Sequence, residues 1–541
     1  MPGYVKYFII VVAAGLLFLP FLGNAHLFDW DEINFAECAR EMIATGDYLR
    51  PQIDFQPFWE KPPLFIWLQV LSMKLFGVNE YAARFPNALL GIVTLVTLFY
   101  VGKRVVSERM ATWWVLLYAS CWLPHLYFKS GIIDPAFNYF IFLAFFQVYL
   151  LRFGSRKLLH AVLAGLFLGL AVMTKGPVAI LVALLCFVVY LVVNKGIWGY
   201  RAGHFLVVAA VAAATFFSWI GMAILLHGWE YGTWFLDKFI TYQVRLFSTE
   251  DAGHGGPFIY HFIVLLLGCF PASVFLFQFG RKRAVEQEPG RDFTRWMWIL
   301  FGVVLILFSI VKTKIVHYSS LCYYPLTFLA ALKISQLSEG KDQLKKAVRW
   351  IVLVVGLLLG VVFVALPVVG MNIKELSRSI KDPVAVADMQ ADVSWHWLES
   401  VWGVIYLAGV VFAFVVMKQQ FRKGLIAFCV AQLLVVQVLI AHFTPKIEAY
   451  SQRPAIEFFE QFQGQDVYVY TMGYYSYAHL FYTRKAPGVN GGKAIDKYSL
   501  LEHSDKPVYY VCRLNKVADF KAYPQLEEIG RKNSFVFFRK K

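Results

Sequence analysis

A run of long apolar segments constrains this chain more than any other feature. Their approximate limits are 5–23, 86–103, 110–128, 134–151, 158–174, 177–194, 204–227, 258–280, 295–311, 319–336, 347–370, 401–417 and 424–442. A helix needs roughly 20 apolar residues to cross a bilayer, where every backbone polar group must be bonded inside its own element. About thirteen such segments predict a polytopic α-helical membrane protein. The composition, 59% hydrophobic and 16% charged, excludes both a soluble globular chain and a disordered one. The run 158–194 is interrupted only by Thr174-Lys175-Gly176-Pro177, which reads as a tight hairpin between two helices. The first segment resembles a signal peptide, but its apolar run is longer than a usual one, so it is expected to remain as an anchor. The cysteines fall mostly inside apolar runs and form no CxxC pair, which argues against a disulfide framework.

Net charge is +16, and the position of the cations explains it. Lys103, Arg104, Arg109, Arg152, Arg156, Lys157, Lys195, Arg201, the 281–295 arginines, Lys345, Lys346, Arg349, Arg422 and Lys423 all fall in loops on one face. The positive-inside rule makes that face, and the N-terminus, cytoplasmic. Nucleic acid is therefore not an expected partner. The opposite face holds the long segments 24–85, 228–257, 371–400 and 443–541. The chain thus divides into a membrane domain, 1–442, and a small C-terminal α/β domain, 443–541, outside the cytoplasm. There, Val467–Tyr470, Val508–Val511 and Phe535–Phe538 read as strands, and 456–462 and 474–482 as helices. In the first long loop, Phe35, Cys38, Ala39, Met42 and Ile43 form the apolar face of a helix whose other face carries Glu37, Arg40 and Glu41. Such a helix beside a span is expected to lie flat in the interface.

Five polar groups share the outer face. Asp29-Trp30-Asp31-Glu32 can cap that helix, with Asp29 at the N-cap and Glu32 completing a capping box. A cap needs one acid, however, and a carboxylate here could act as general base toward a hydroxyl. In Glu60-Lys61-Pro62-Pro63 the prolines open a helix, and Lys61 can meet a phosphate at the membrane surface. Asp134 before Pro135 has the form of a helix start, and joins the outer acids. The second loop offers Arg245, whose fork suits a phosphate, and His254; Glu60 and His254 could share a divalent ion. Lys312, Lys314 and Tyr318 either cap a helix C-terminus or meet an anion. Walker A, GxSxG and HExxH patterns are absent from the sequence.

Asp31-Glu32, Ala36-Glu37, Arg40-Glu41-Met42 and Gly46-Asp47 resemble the first outer loop of the aminoarabinose transferases that modify lipid A. Glu60-Lys61-Pro62-Pro63, Leu75-Phe76-Gly77, Arg84, Thr174–Pro177, His254 with Pro257-Phe258, and Lys314 with Tyr318 and Pro325 continue the resemblance in order. Asn34-Phe35 stands where that family usually has Arg-Tyr, and Trp59 where it has Tyr or Phe. The chain is similar to the wider protein-mannosyltransferase-like group. The resemblance implies the GT-C glycosyltransferase fold, a bacterial inner-membrane location, and inverting transfer of a sugar from an undecaprenyl (polyprenyl) phosphate donor at the periplasmic face. It implies Asp31 as the essential acid, grouped with Glu32 and Asp134 as catalytic. Lys61, Arg245, Tyr318 and Lys314 would hold the donor phosphate. Glu60 and His254 would be the pair around a possible divalent metal ion, with no cofactor required. A lipid A-like, glycan or protein acceptor is expected, with membrane lipids as surroundings and a monomer as the unit. A multispan transporter is the rival from another class, and would put its ionisable residues near mid-bilayer in broken helices.

Overall fold

The computed structural model describes residues 3–196, 199–248, 255–279, 287–489 and 496–541. Each apolar segment forms a helix or a broken pair of helices. Among the described residues, eight helices are long and apolar enough to cross a membrane, nine if the bent pair Tyr260–Gly268 and Ala272–Gln278 counts as one span. The difference from about thirteen has a local cause. Gly3–Phe18 and Val178–Asn194 are apolar but short, and the 110–128 segment breaks at Cys121 into Glu108–Ser120 and Trp122–Tyr127. In the 319–336 segment only Tyr323–Ser338 is α-helical, after a 3-10 stretch over Val316–Cys322. The expected hairpin is present: Lys157–Lys175 ends at Gly176, whose φ of 120° suits glycine alone, and Val178–Asn194 follows Pro177.

The first long loop packs inside the fold. Its helix, Asp31–Thr45, is buried on both faces from Glu32 to Met42. The apolar side packs against Leu64–Phe76, with Phe35 edge-on to Phe65. The polar side is covered by the C-terminal unit: Arg40 bridges Glu37 at 2.6 Å and donates to the Lys485 carbonyl at 2.8 Å. Lys485 in turn pairs with Asp54 at 2.5 Å. Ion pairing inside the fold replaces the solvent that the charged face would otherwise need.

The C-terminal unit holds a four-stranded sheet. Tyr468–Met472 runs parallel to Val508–Arg513; Phe535–Lys540 pairs antiparallel with Val508–Arg513 on one side and with Leu526–Lys532 on the other. The strand absent from the sequence reading, Leu526–Lys532, is an edge carrying Glu527, Glu528, Arg531 and Lys532, so its pattern is polar. Arg453–Glu460 and Ala478–Thr483 stand near the two expected helices, and Thr444–Glu448 and Val517–Lys521 are further short ones. One apolar core is common to the first loop and this unit, joining Leu27, Phe35 and Phe65 to Phe459 and Phe481. The 371–400 segment also docks on the sheet, through Asp388 to Arg513 at 3.2 Å and to the Ser534 backbone N–H at 3.1 Å.

Candidate functional site

Where the first loop, the membrane helices and the C-terminal unit meet, they line an open cavity of about 710 Å³. Asp31, Glu32, Glu60, Lys61, Asp134, Arg245 and Tyr318, drawn from five separated stretches of sequence, all line it.

The acids come from helix starts. Asp31 opens the helix Asp31–Thr45, and its carboxylate lies 3.6 Å from His317 Nε2. Asp134 opens Asp134–Phe153 with Pro135 at the first turn, as the sequence suggests. It is buried, and Lys175, the last residue of its own helix, reaches its Oδ1 at 2.6 Å. Burial pushes the His317 imidazole below the usual histidine range, against the pull of the Asp134 carboxylate.

Three cations line the same cavity. Pro62-Pro63 start Leu64–Phe76 and hold Lys61 just outside it. Lys61 Nζ sits 4.8 Å from the centre of the Tyr242 ring, and the Arg245 guanidinium 5.4 Å from the same centre, so one aromatic ring meets both. Loss of water pushes the Lys61 ammonium below the usual lysine range, while Glu60 and Asp31 pull it back. Lys175 lies 5.1 Å from the Tyr318 ring centre.

Two of the sequence-predicted residues serve other ends. Glu32 is part of the framework. Arg84 clasps it through Nε at 3.0 Å and Nη2 at 2.8 Å, and the backbone N–H groups of Phe28 and Gly131 donate to it at 2.9 and 2.5 Å. Arg84 spends its remaining donors on the carbonyls of Leu22, Ala25 and His26. Burial would raise the Glu32 carboxyl, but Arg84 and the two N–H groups hold it below the usual range. With its lone pairs engaged, Glu32 is a poor base; it fixes where Asp31 stands. The expected capping box is absent too: the N-cap is Trp30, with no side-chain cap bond. Lys314 corrects the second expectation. Its Nζ donates to the carbonyls of Phe308, Ser309 and Val311 at the end of Glu288–Ile310, so it caps that helix instead of facing the cavity.

Glu60 lines the cavity, but His254, its expected metal partner, lies outside the described residues. Another set meets the geometry of a cation site: one donor atom each from Asp31, Asp134 and His317 lie within 4.8 Å of one another. Two carboxylates and an imidazole suit a divalent ion, and Asp134 Oδ2 is buried with no hydrogen-bond partner among the described residues. Lys175 already sits on the other oxygen as a fixed positive charge.

Lys175, His317, Tyr242, Tyr475 and Tyr477 line the cavity without having been assigned a role from sequence. Lys175 and His317 carried a signal, as a cation and an imidazole on the cation-poor face. The tyrosines carried none, because only docking of the C-terminal unit and of the helix Trp229–Ser248 brings them here.

Comparison with known proteins adds three findings. The sequence profile of the dolichyl-phosphate-mannose-protein mannosyltransferase family matches residues 60–220. The undecaprenyl phosphate-alpha-4-amino-4-deoxy-L-arabinose arabinosyl transferase of Edwardsiella ictaluri is 28% identical over 363 residues, 65% of this chain and 62% of that protein. Its counterpart from Pectobacterium carotovorum is 28% identical over 371 residues, 67% and 65% of the two chains. The matched stretch thus spans less than two thirds of either relative's length. Among solved structures, ArnT from Cupriavidus metallidurans bound to undecaprenyl phosphate superposes with a TM-score of 0.75 at 18% identity, covering 99% of this chain and 98% of that one. The chain has that fold, the GT-C fold expected from the sequence: a polytopic helical body with a small C-terminal sheet domain.

Proposed function

We propose that this GT-C chain transfers a sugar from an undecaprenyl phosphate donor to an acceptor at the outer face of the bacterial inner membrane, with inversion. The observation that carries the reading is one cavity lined together by Asp31 and the cations Lys61, Arg245 and Lys175, between membrane helices and a polar C-terminal unit. The similar arabinosyl transferases and the ArnT structure with undecaprenyl phosphate support the donor class.

In this reading the donor's tail stays in the bilayer and its phosphate meets Lys61 and Arg245. The acceptor hydroxyl gives its proton to Asp31 while its oxygen bonds to the anomeric carbon. The bond from that carbon to the phosphate oxygen breaks, and its electron pair leaves on undecaprenyl phosphate. Lys61 and Arg245 offset the charge growing there. One displacement needs one base, so the paired carboxylates of a retaining glycosidase are unnecessary. Lys175 neutralises Asp134 beside the reaction centre. The chain's own cations supply the positive charge, so a divalent ion at Asp31, Asp134 and His317 would assist without being required. The acceptor is a lipid A-like or other envelope glycan, and the N-terminus is cytoplasmic with the C-terminal unit in the periplasm. The ionisable residues of the cavity sit at helix ends, which favours a transferase over a transporter.

Mass spectrometry of lipids and envelope glycans, with and without the gene, tests the reading. A mass increment of one sugar on one component, lost on deletion and restored by the gene but not by its Asp31→Asn form, is the expected result. Identical glycan and lipid profiles in all strains would overturn it.

A further inference from the structure

The C-terminal unit supplies a wall of the cavity that the transfer step above leaves unused. Tyr475 and Tyr477 follow the first strand of its sheet, Tyr468–Met472, and both line the cavity. Tyr475 stacks on Trp30, with ring centres 4.9 Å apart and planes inclined by 27°. Tyr477 meets Tyr475 edge-on at 5.1 Å, and their hydroxyls are hydrogen-bonded. The rings are open: Tyr475 is 59% exposed and Trp30 39%. The preceding Tyr474 turns instead onto Phe535 of the sheet.

Large open aromatic faces with polar edges suit a ligand that is apolar on one face and hydroxylated at its rim. A pyranose ring has that character: its axial C–H groups stack on an aromatic face while its hydroxyls find polar partners. Another part of the lining differs in kind. Val178, Val182, Phe308 and Val311 come from apolar helices of the membrane body, and suit a polyprenyl tail. The aromatic wall thus belongs to the soluble side, and Trp30 is the residue next to Asp31.

We propose that Trp30, Tyr475 and Tyr477 form the subsite for the acceptor's sugar ring, stacking a pyranose so that one free hydroxyl points at Asp31. This rests on the transferase reading above and gives the C-terminal unit its part in it, acceptor selection. The bond changes are those already written; the wall adds orientation.

The test uses the full chain in cells and in nanodiscs. In cells, Tyr475→Ala lowers the glycosylated product more than tenfold and the sugar-loaded donor lipid accumulates. Tyr475→Phe, which keeps the face, stays within threefold of the parent. Because Tyr475 is mostly exposed, the alanine form keeps the parent's expression and melting temperature. Purified Tyr475→Ala protein binds the loaded donor lipid, extracted from those cells, within twofold of the parent. Unchanged product from Tyr475→Ala would overturn the subsite while leaving the transferase reading intact. Weakened binding of the loaded donor would overturn it as well, because the wall would then hold the donor's sugar. Absence of any product from the parent would instead remove the transferase reading itself, and this subsite with it.

Discussion

The Lys175 ammonium lies 2.6 Å from Asp134 Oδ1, joining the end of one membrane helix to the start of another in the lining of the cavity. The side chains are 15% and 2% exposed, so the pair is close to fully desolvated. Removing one member of a buried pair leaves an uncompensated charge, at a cost of about 3 kcal/mol. Lys175→Met is expected to lower the melting temperature in detergent, Asp134→Asn less, since Lys175 can turn toward water. The double variant should recover more than half of the Lys175→Met loss. Additive losses in the double variant would show that the two residues do not stabilise one another.

Glu32 and Asp31 are neighbours with different tasks. Glu32→Gln breaks the Arg84 clasp and should cost about 3 kcal/mol, read as a lower melting temperature and reduced membrane yield. Asp31→Asn should keep the parent's melting temperature while transfer falls at least about a hundredfold, the scale of a lost general base. A stable Glu32→Gln protein with transfer abolished would return Glu32 to the reacting groups.

Lys61 and Lys314 separate cavity from helix end. A charge-assisted bond to phosphate is worth about 1.5–3 kcal/mol, so Lys61→Ala should weaken undecaprenyl phosphate binding by about ten- to a hundredfold. Lys314→Met should leave that affinity within twofold and lower thermal stability instead, since it uncaps Glu288–Ile310. Equal losses of affinity would restore Lys314 to the phosphate site.

Asp29 gives a pH signature. Asp29 is exposed into the cavity, and the protein packed around it raises its carboxyl to about 6, against the Ser476 hydrogen bond and the Arg513 charge. An acid raised in the folded state binds its proton more tightly there than in the unfolded chain. Its contribution to stability is therefore present below the ordinary carboxylate range, falls as pH rises, and is gone above about 6. Asp29→Asn removes this term. The melting-temperature difference, Asp29→Asn minus parent, should be near zero at pH 4, grow through pH 5 and level off above pH 6.5. A flat difference would place Asp29 in ordinary solvent.

The helical body was legible because its cause is local. Apolar runs such as 347–370 and 134–151 must be helices in lipid whatever surrounds them, and Lys346–Met371 and Asp134–Phe153 are. Breaks at Cys121 and within 316–322 were not legible, since neighbouring helices can satisfy a broken turn and leave no mark on hydropathy. Lys61, Arg245 and Asp134 could be read from sequence because each is ionisable on the outer side, where a cation runs against the charge rule and an acid at the start of a span needs a reason.

Sequence by itself thus determined a membrane-spanning helical chain, a small C-terminal sheet and an outer face bearing unexplained acids and cations. Hydropathy and charge act through solvent, and solvent is the same for every residue of a given type. Tertiary structure alone decided which of those charges face one another. It turned Glu32 onto Arg84 and Lys314 onto carbonyls, set Lys175 against Asp134, and placed Tyr475 beside Trp30. Those choices depend on which partner lies within about 4 Å, the range over which a hydrogen bond or ion pair outcompetes water. Residues as far apart in the chain as Trp30 and Tyr475 come that close only when the whole molecule is folded.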